Sequence, residues 1–259
     1  MSEYQYYEFR TVNRTLTREE VKEVNSWSSR GDVNSTSASF TYNFGDFKYD
    51  PMSCLLSHFD MMLYHANYGC RRMMFRFPKK IVNISELRQF EYSFPEQDYE
   101  RSIAISDKKD FVVIDIEENL EEGYEDWVEC EDVLAAVTPL WNDIINGDYR
   151  SLYLIWSHFS QLALDNESIE EDNLTIPNMP SGLKKMSAPL TEFNNFWWVD
   201  GNLIADLAKK SPDKTEKNTD YEKAISLMSD NEKSDYLLRF AQNEEYILQK
   251  FLKRLEKLV

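Results

Sequence analysis

Apolar and polar positions change rhythm several times along the chain, and each rhythm predicts an element. Tyr4 to Val12 alternates and is aromatic, the period-2 pattern of a strand. Thr17 with Glu20 three residues later is a capping box, and Leu16 with Val21 a hydrophobic staple, so a helix starts there and buries Val21, Val24 and Trp27. After a loop around Arg30 and Gly31, Ser39 to Phe44 reads as a second strand. Asp50 before Pro51 opens another helix. From 51 to 66, Met52, Leu55, Leu56, Phe59, Met62, Leu63 and Ala66 share one stripe at helical spacing. Arg72 to Phe77 alternates again, a short helix is expected from Ser85 to Phe90, and Ser102 to Ser106 with Phe111 to Ile116 forms a hairpin about Asp107–Lys109.

Past Trp127 only helical periods remain. Val133, Leu134, Val137, Trp141, Ile144 and Ile145 make one stripe, with Pro139 kinking it or starting a second helix. Tyr149 to Leu164 is apolar on nearly every side, as a central buried helix is. An aromatic helix is expected over Thr191–Lys210, and Ser211 to Asp220 is a polar linker. Ser229 with Glu232 makes another capping box, and Asn243 caps a final amphipathic helix. The expected fold is therefore an α+β N-terminal half, with a mixed or antiparallel sheet and helices, followed by an all-α C-terminal half. The division falls into domains 1–127 and 128–259.

Charge changes this picture by being local. The 259 residues hold 29 Lys and Arg against 46 Asp and Glu, a net charge of −17. Residues 81–180 hold 5 basic and 24 acidic side chains, so this segment alone carries −19. Within it, Asp115, Glu117, Glu118, Glu121, Glu122, Glu125, Asp126, Glu129, Glu131 and Asp132 occur with no Lys or Arg between them. Such a block repels itself and seeks a cationic partner, which points to a basic protein surface and away from nucleic acid or an anionic membrane. No run of eighteen apolar residues occurs, the N-terminus has no signal-peptide pattern, and three unpaired-looking cysteines suit a reducing compartment, so a cytoplasmic location is expected.

Three further groups are candidates for chemistry. Cys54, His58, Met61 and His65, spaced four, three and four apart, fall on a second stripe of the expected 51–66 helix. Cys54, His58 and His65 are the candidate ligands for Zn²⁺ or copper, in a metal-dependent enzyme or sensor. Arg71, Arg72 and Arg76, with Lys79 and Lys80, form the one basic concentration of the first half, a candidate anion or nucleic-acid site. Trp197 and Trp198 sit side by side on the expected aromatic helix, so one of them is a candidate interface anchor. No phosphate-binding glycine loop, dinucleotide fingerprint or nucleophile elbow is present, which removes the usual nucleotide enzymes and triad hydrolases.

Tyr7-Glu8-Phe9 with Leu16-Thr17, the box Phe44-Gly45-Asp46-Phe47-Lys48-Tyr49-Asp50-Pro51, and Arg71-Arg72-Met73-Met74 together resemble a family of uncharacterised bacterial proteins. The likeness continues through Gly147-Asp148, Leu152-Tyr153-Leu154 and Ser229 to Phe240. Phe44 and Tyr49 depart from that pattern, which has Trp and Gly there. The resemblance implies a bacterial cytoplasmic protein and carries no activity. Together these readings favour a non-enzymatic acidic adaptor or regulatory subunit, partnered through the 115–132 block.

Overall fold

The computed structural model describes residues 3–93, 99–120, 130–214 and 219–259. It forms two compact units, Met1–Asp213 and Lys214–Val259. The division expected at 127 falls among residues 121–129, outside the described residues, and the helices between 133 and 210 belong to the same unit as the sheet.

Eight antiparallel strands make the frame of the first unit: β1 (Gln5–Arg10), β2 (Gly31–Val33), β3 (Ser37–Tyr42), β4 (Met61–Ala66), β5 (Cys70–Pro78), β6 (Tyr92–Ser93), β7 (Tyr99–Lys108) and β8 (Phe111–Leu120). Their order across the sheet is β2-β3-β1-β4-β5-β8-β7-β6. Different helices lie on the two faces. Helix α1 (Arg18–Asn25) starts on the expected capping box, with Glu20 N–H donating to Thr17 Oγ1 at 3.2 Å and Thr17 N–H to the Glu20 carboxylate at 2.7 Å. Helix α2 (Pro51–His58) starts at Asp50, which accepts from Ser53 N–H at 2.9 Å. Both helices pack Val24, Cys54 and Leu55 against Phe9, Phe40, Met62 and Met74 on one face. After the short α3 (Ile84–Leu87), the opposite face receives α4 (Val133–Val137), α5 (Pro139–Ile145), α6 (Arg150–Asp165) and α7 (Ala188–Phe196). There Trp141 stacks on Phe77, and its indole N–H donates to the Arg76 carbonyl at 2.8 Å. Helix α6 is buried along most of its length, as its all-round apolar sequence predicts.

Two expected helices end early. The helix expected over 51–66 stops at His58, because Phe59 is extended and Asp60 is pulled into the sheet. Asp60 is fully buried; its carboxylate accepts from Arg76 Nη2 and from Val12 N–H, each at 2.8 Å. Residues 61–66 are then strand β4, covered on both faces, and a strand of that kind is apolar throughout and imitates a helical stripe. The helix expected over 191–210 is broken into α7 and α8 (Gly201–Lys210) by Trp198, at φ +53°, and by Asp200, which caps α8.

The second unit holds α9 (Tyr221–Leu227), α10 (Asp230–Ala241) and α11 (Ile247–Glu256) around Ala224, Met228 and Leu255. Ser229 caps α10, but Glu232 is drawn to Arg254 at 2.6 Å. The N-cap of α11 is Tyr246 and not the expected Asn243. Among the described residues, no helix is long and apolar enough to cross a membrane.

Candidate functional site

Strand β8 carries the first part of the acidic block, and the pleat splits it between the two faces of the sheet. Asp115 and Glu117 share the face of Val113, while Glu118 shares the face of Ile114 and Ile116. Asp115 is spent within the fold: Arg72 donates Nε and Nη2 to its two oxygens at 2.8 and 2.7 Å. Glu117 stays exposed. Partial desolvation pushes its carboxyl pKa up; Arg72 pulls it down, and the neighbouring Asp115 and Glu100 push it further up. Glu121, Glu122, Glu125 and Asp126 lie outside the described residues.

Along β7 and β8 one face is closed and the other is open. Arg101, Ile103, Ile105, Ile114, Ile116 and Glu118 are buried, whereas Glu100, Ala104, Glu117 and Asn119 are exposed. Helices α1 and α2 cover β3, β1 and β4, and toward the outer half of the sheet their cluster extends, among the described residues, to Met74 and Val113. Among the described residues, this face of the outer half of the sheet therefore carries no helix over Glu100 and Glu117, and the neighbouring guanidinium of Arg72 is already claimed by Asp115. Glu100 lies outside the 115–132 block. Only the hairpin register, which pairs Ser102 with Glu117 and Glu100 with Asn119, brings it alongside.

The closed face holds a polar row that the register lines up directly: Tyr6, His65, Arg71, Glu118 and Arg101 on β1, β4, β5, β8 and β7. Arg71 is fully buried; its Nη1 donates to the Phe196 carbonyl at 2.8 Å and lies 3.9 Å from Glu118. Arg101 Nε donates to Glu118 at 2.9 Å. Burial, reinforced by Arg71, lowers the His65 pKa to about 4. Burial with Arg101 and Arg71 does the same to His158, to about 4, against the pull of Asp200. Burial pushes the Cys130 thiol up to about 12 although Arg71 opposes it.

These positions correct the expected anion patch. Arg71 is enclosed, Arg72 is held by Asp115, and Arg76 is 4% exposed and held by Asp60 and by the Leu56 carbonyl at 2.9 Å. Lys79 pairs with Asp107. The three arginines are thus internal ties and not a basic surface.

The expected Cys/His stripe is also not assembled, because it required one helix through 66. Cys54 lies in the core under α2, and burial raises its thiol to about 12. His58 Nε2 meets Glu23 at 3.2 Å, with Trp27 beside its ring. His65 faces the other side of the sheet, in the Arg71 row. Among the described residues, no three His, Cys, Asp or Glu side chains are grouped as a metal ion requires.

The two tryptophans part company. Trp197 is 1% exposed and packs on Phe159, Phe193 and Phe196, so it is core and offers no anchor. Trp198 is 46% exposed and lays its ring 3.7 Å from the Arg71 guanidinium carbon. Asp200-Gly201, a cap and a breaker within the expected helix, is the sequence signal for the turn that separates them.

Comparison with protein-family models, with curated proteins and with solved structures finds no match to this chain.

Proposed function

We propose that the chain is an acidic interaction protein, an adaptor or regulatory subunit of a bacterial complex, that receives a basic partner surface. The observation that carries this reading is the open β7–β8 face. It leaves Glu100 and Glu117 exposed on a face that, among the described residues, no helix covers, within the segment that bears the whole net charge of the protein. The Glu117 carboxyl, pushed up first by burial and then by the neighbouring charges of Asp115 and Glu100, gains by meeting a cation, so a lysine- or arginine-rich surface would relieve the repulsion as it docks. Trp198, half-exposed on the opposite side of the sheet, is the one tryptophan of the pair that a partner can reach. The cytoplasm, a reducing compartment, suits cysteines held as thiols rather than as a disulfide framework. The metal-dependent alternative has lost the ligand stripe on which it rested.

The test begins with affinity capture from the native host at low ionic strength. The captured protein is then purified and titrated against the wild type and a Glu100→Lys/Glu117→Lys variant. The reading expects a cationic partner whose affinity falls with added salt and drops at least about tenfold in the variant. A failure to capture any cationic protein, or an affinity indifferent to both salt and charge reversal, ends it.

A further inference from the structure

The box Phe44–Pro51 takes no part in the acidic face, yet it builds the wall of a cavity of about 460 Å³ beside the end of β3. That size lies within the range of small-molecule pockets. Phe47 turns inward and is buried, while Phe44 stands 74% exposed at the rim. Phe44 is fixed there from both sides. Gly45 reverses the chain at φ +72°, a left-handed conformation that suits glycine, and Arg30 Nη1 donates to the Phe44 carbonyl at 2.8 Å. The inner surface is formed by the largely buried rings of Trp27 and Tyr42.

The polar groups around these rings favour an anion. The Arg30 guanidinium sits 5.3 Å from the Tyr42 ring centroid, held in place by that ring and by the Phe44 carbonyl. Lys48 enters the same cavity, and among the described residues neither cation has a carboxylate at ion-pair distance. Asp46, the one acid in the lining, is engaged by Gln5 Nε2 at 2.9 Å. Ser28 Oγ accepts from Tyr42 OH at 2.8 Å and from Arg30 N–H at 3.1 Å, which leaves its own proton to donate. Two cations and a hydroxyl donor beside aromatic faces match a phosphate joined to a flat ring.

The net charge of the protein does not cancel this preference. Four strand spacings separate β3 from β8 in the sheet order, about 19 Å at about 4.8 Å each. That is more than two Debye lengths at physiological ionic strength, where the length is about 8 Å. The local cations therefore decide what the cavity attracts.

We propose that this cavity is a binding site for a mononucleotide, with its phosphate on Arg30 and Lys48 and its base against Phe44 and the Tyr42–Trp27 wall. Binding alone is assigned; no bond is broken. The proposal is independent of the acidic face.

Isothermal titration of the full chain with AMP, adenosine, inorganic phosphate and phosphotyrosine tests it. AMP is expected to bind saturably and more tightly than phosphate or adenosine. Arg30→Ala and Lys48→Ala should each weaken AMP at least about tenfold, the loss expected for a charged hydrogen bond. Phe44→Ala should weaken AMP and leave inorganic phosphate unchanged. Lys48 is exposed and ties no part of the fold, so its variant remains informative if Arg30→Ala misfolds. No saturable AMP binding at millimolar concentration overturns the proposal, as does AMP binding indifferent to Lys48→Ala. Phosphotyrosine binding in preference to AMP overturns the nucleotide assignment.

Discussion

Asp60 is the corner at which helix α2 gives way to strand β4, and its removal is the sharpest perturbation this fold offers. The carboxylate is fully buried and makes two 2.8 Å bonds, one to Arg76 Nη2 and one to Val12 N–H. Arg76 is 4% exposed, and its guanidinium lies 4.4 Å from the Phe111 ring centroid. In Asp60→Ala that cation stays enclosed without its counter-charge, and water cannot reach it cheaply. Breaking a buried pair in this way costs about 3–5 kcal/mol. Against a typical stability of about 5–15 kcal/mol, that is a large share of the total. Asp60→Asn keeps one acceptor oxygen and should fall between the two. Asp60→Ala/Arg76→Met removes both charges and should recover most of the loss, since an apolar replacement of a buried pair is often neutral. Urea unfolding followed by tryptophan emission reads this cleanly, because all six tryptophans lie within residues 1–213. A cost of less than about 1 kcal/mol for Asp60→Ala, or a double variant no more stable than the single one, would refute a buried charge pair at this corner.

Two other consequences are measurable. His65 and His158 have pKa values lowered to about 4 by burial and by the arginines, whereas in the unfolded chain they titrate near 6.5. Protons therefore bind the unfolded state first, and stability present above pH 6.5 is lost as pH falls toward 4. Each histidine should remove about 1.4 kcal/mol by pH 5.5. Urea midpoints at pH 7.5 and 5.5 should show this loss and its reduction in His158→Gln; an equal pH slope in both proteins would contradict it. Trp198 has φ +53°, which a glycine adopts without strain. Both Trp198→Ala and Trp198→Gly should destabilise by losing the stack on Arg71, but the glycine variant should melt higher, by about 1 kcal/mol. A more stable alanine variant would refute the claim of backbone strain.

Local signals were legible where a residue acts on its own neighbours. The caps at Thr17 and Asp50, the β7–β8 hairpin and the all-round apolar α6 follow directly from adjacent side chains. Position 59 onward misled because a strand buried on both faces shows the same apolar density as a helix, and nothing local reveals that β1 and β5 will flank it. The short β2, from Gly31 to Val33, was hidden in a loop-like run for a similar reason: it exists only by pairing with β3. The chemistry was less legible still. A row of arginines in sequence reads as a charged surface, and only the partners Asp60, Asp115 and Glu118, brought from elsewhere in the chain, convert it to internal ties.

The polar row across β1, β4, β5, β8 and β7 also governs how the sheet can assemble. Its side chains come from positions 6, 65, 71, 118 and 101, so correct alignment joins parts of the chain far apart in sequence. Sliding β5, β7 or β8 by a single residue would turn its charged member to the other face and break the Arg71–Glu118–Arg101 ties. The row thus works as a key cut across five strands. It makes misaligned sheets costly, and so selects one alignment from many that the apolar residues alone would accept.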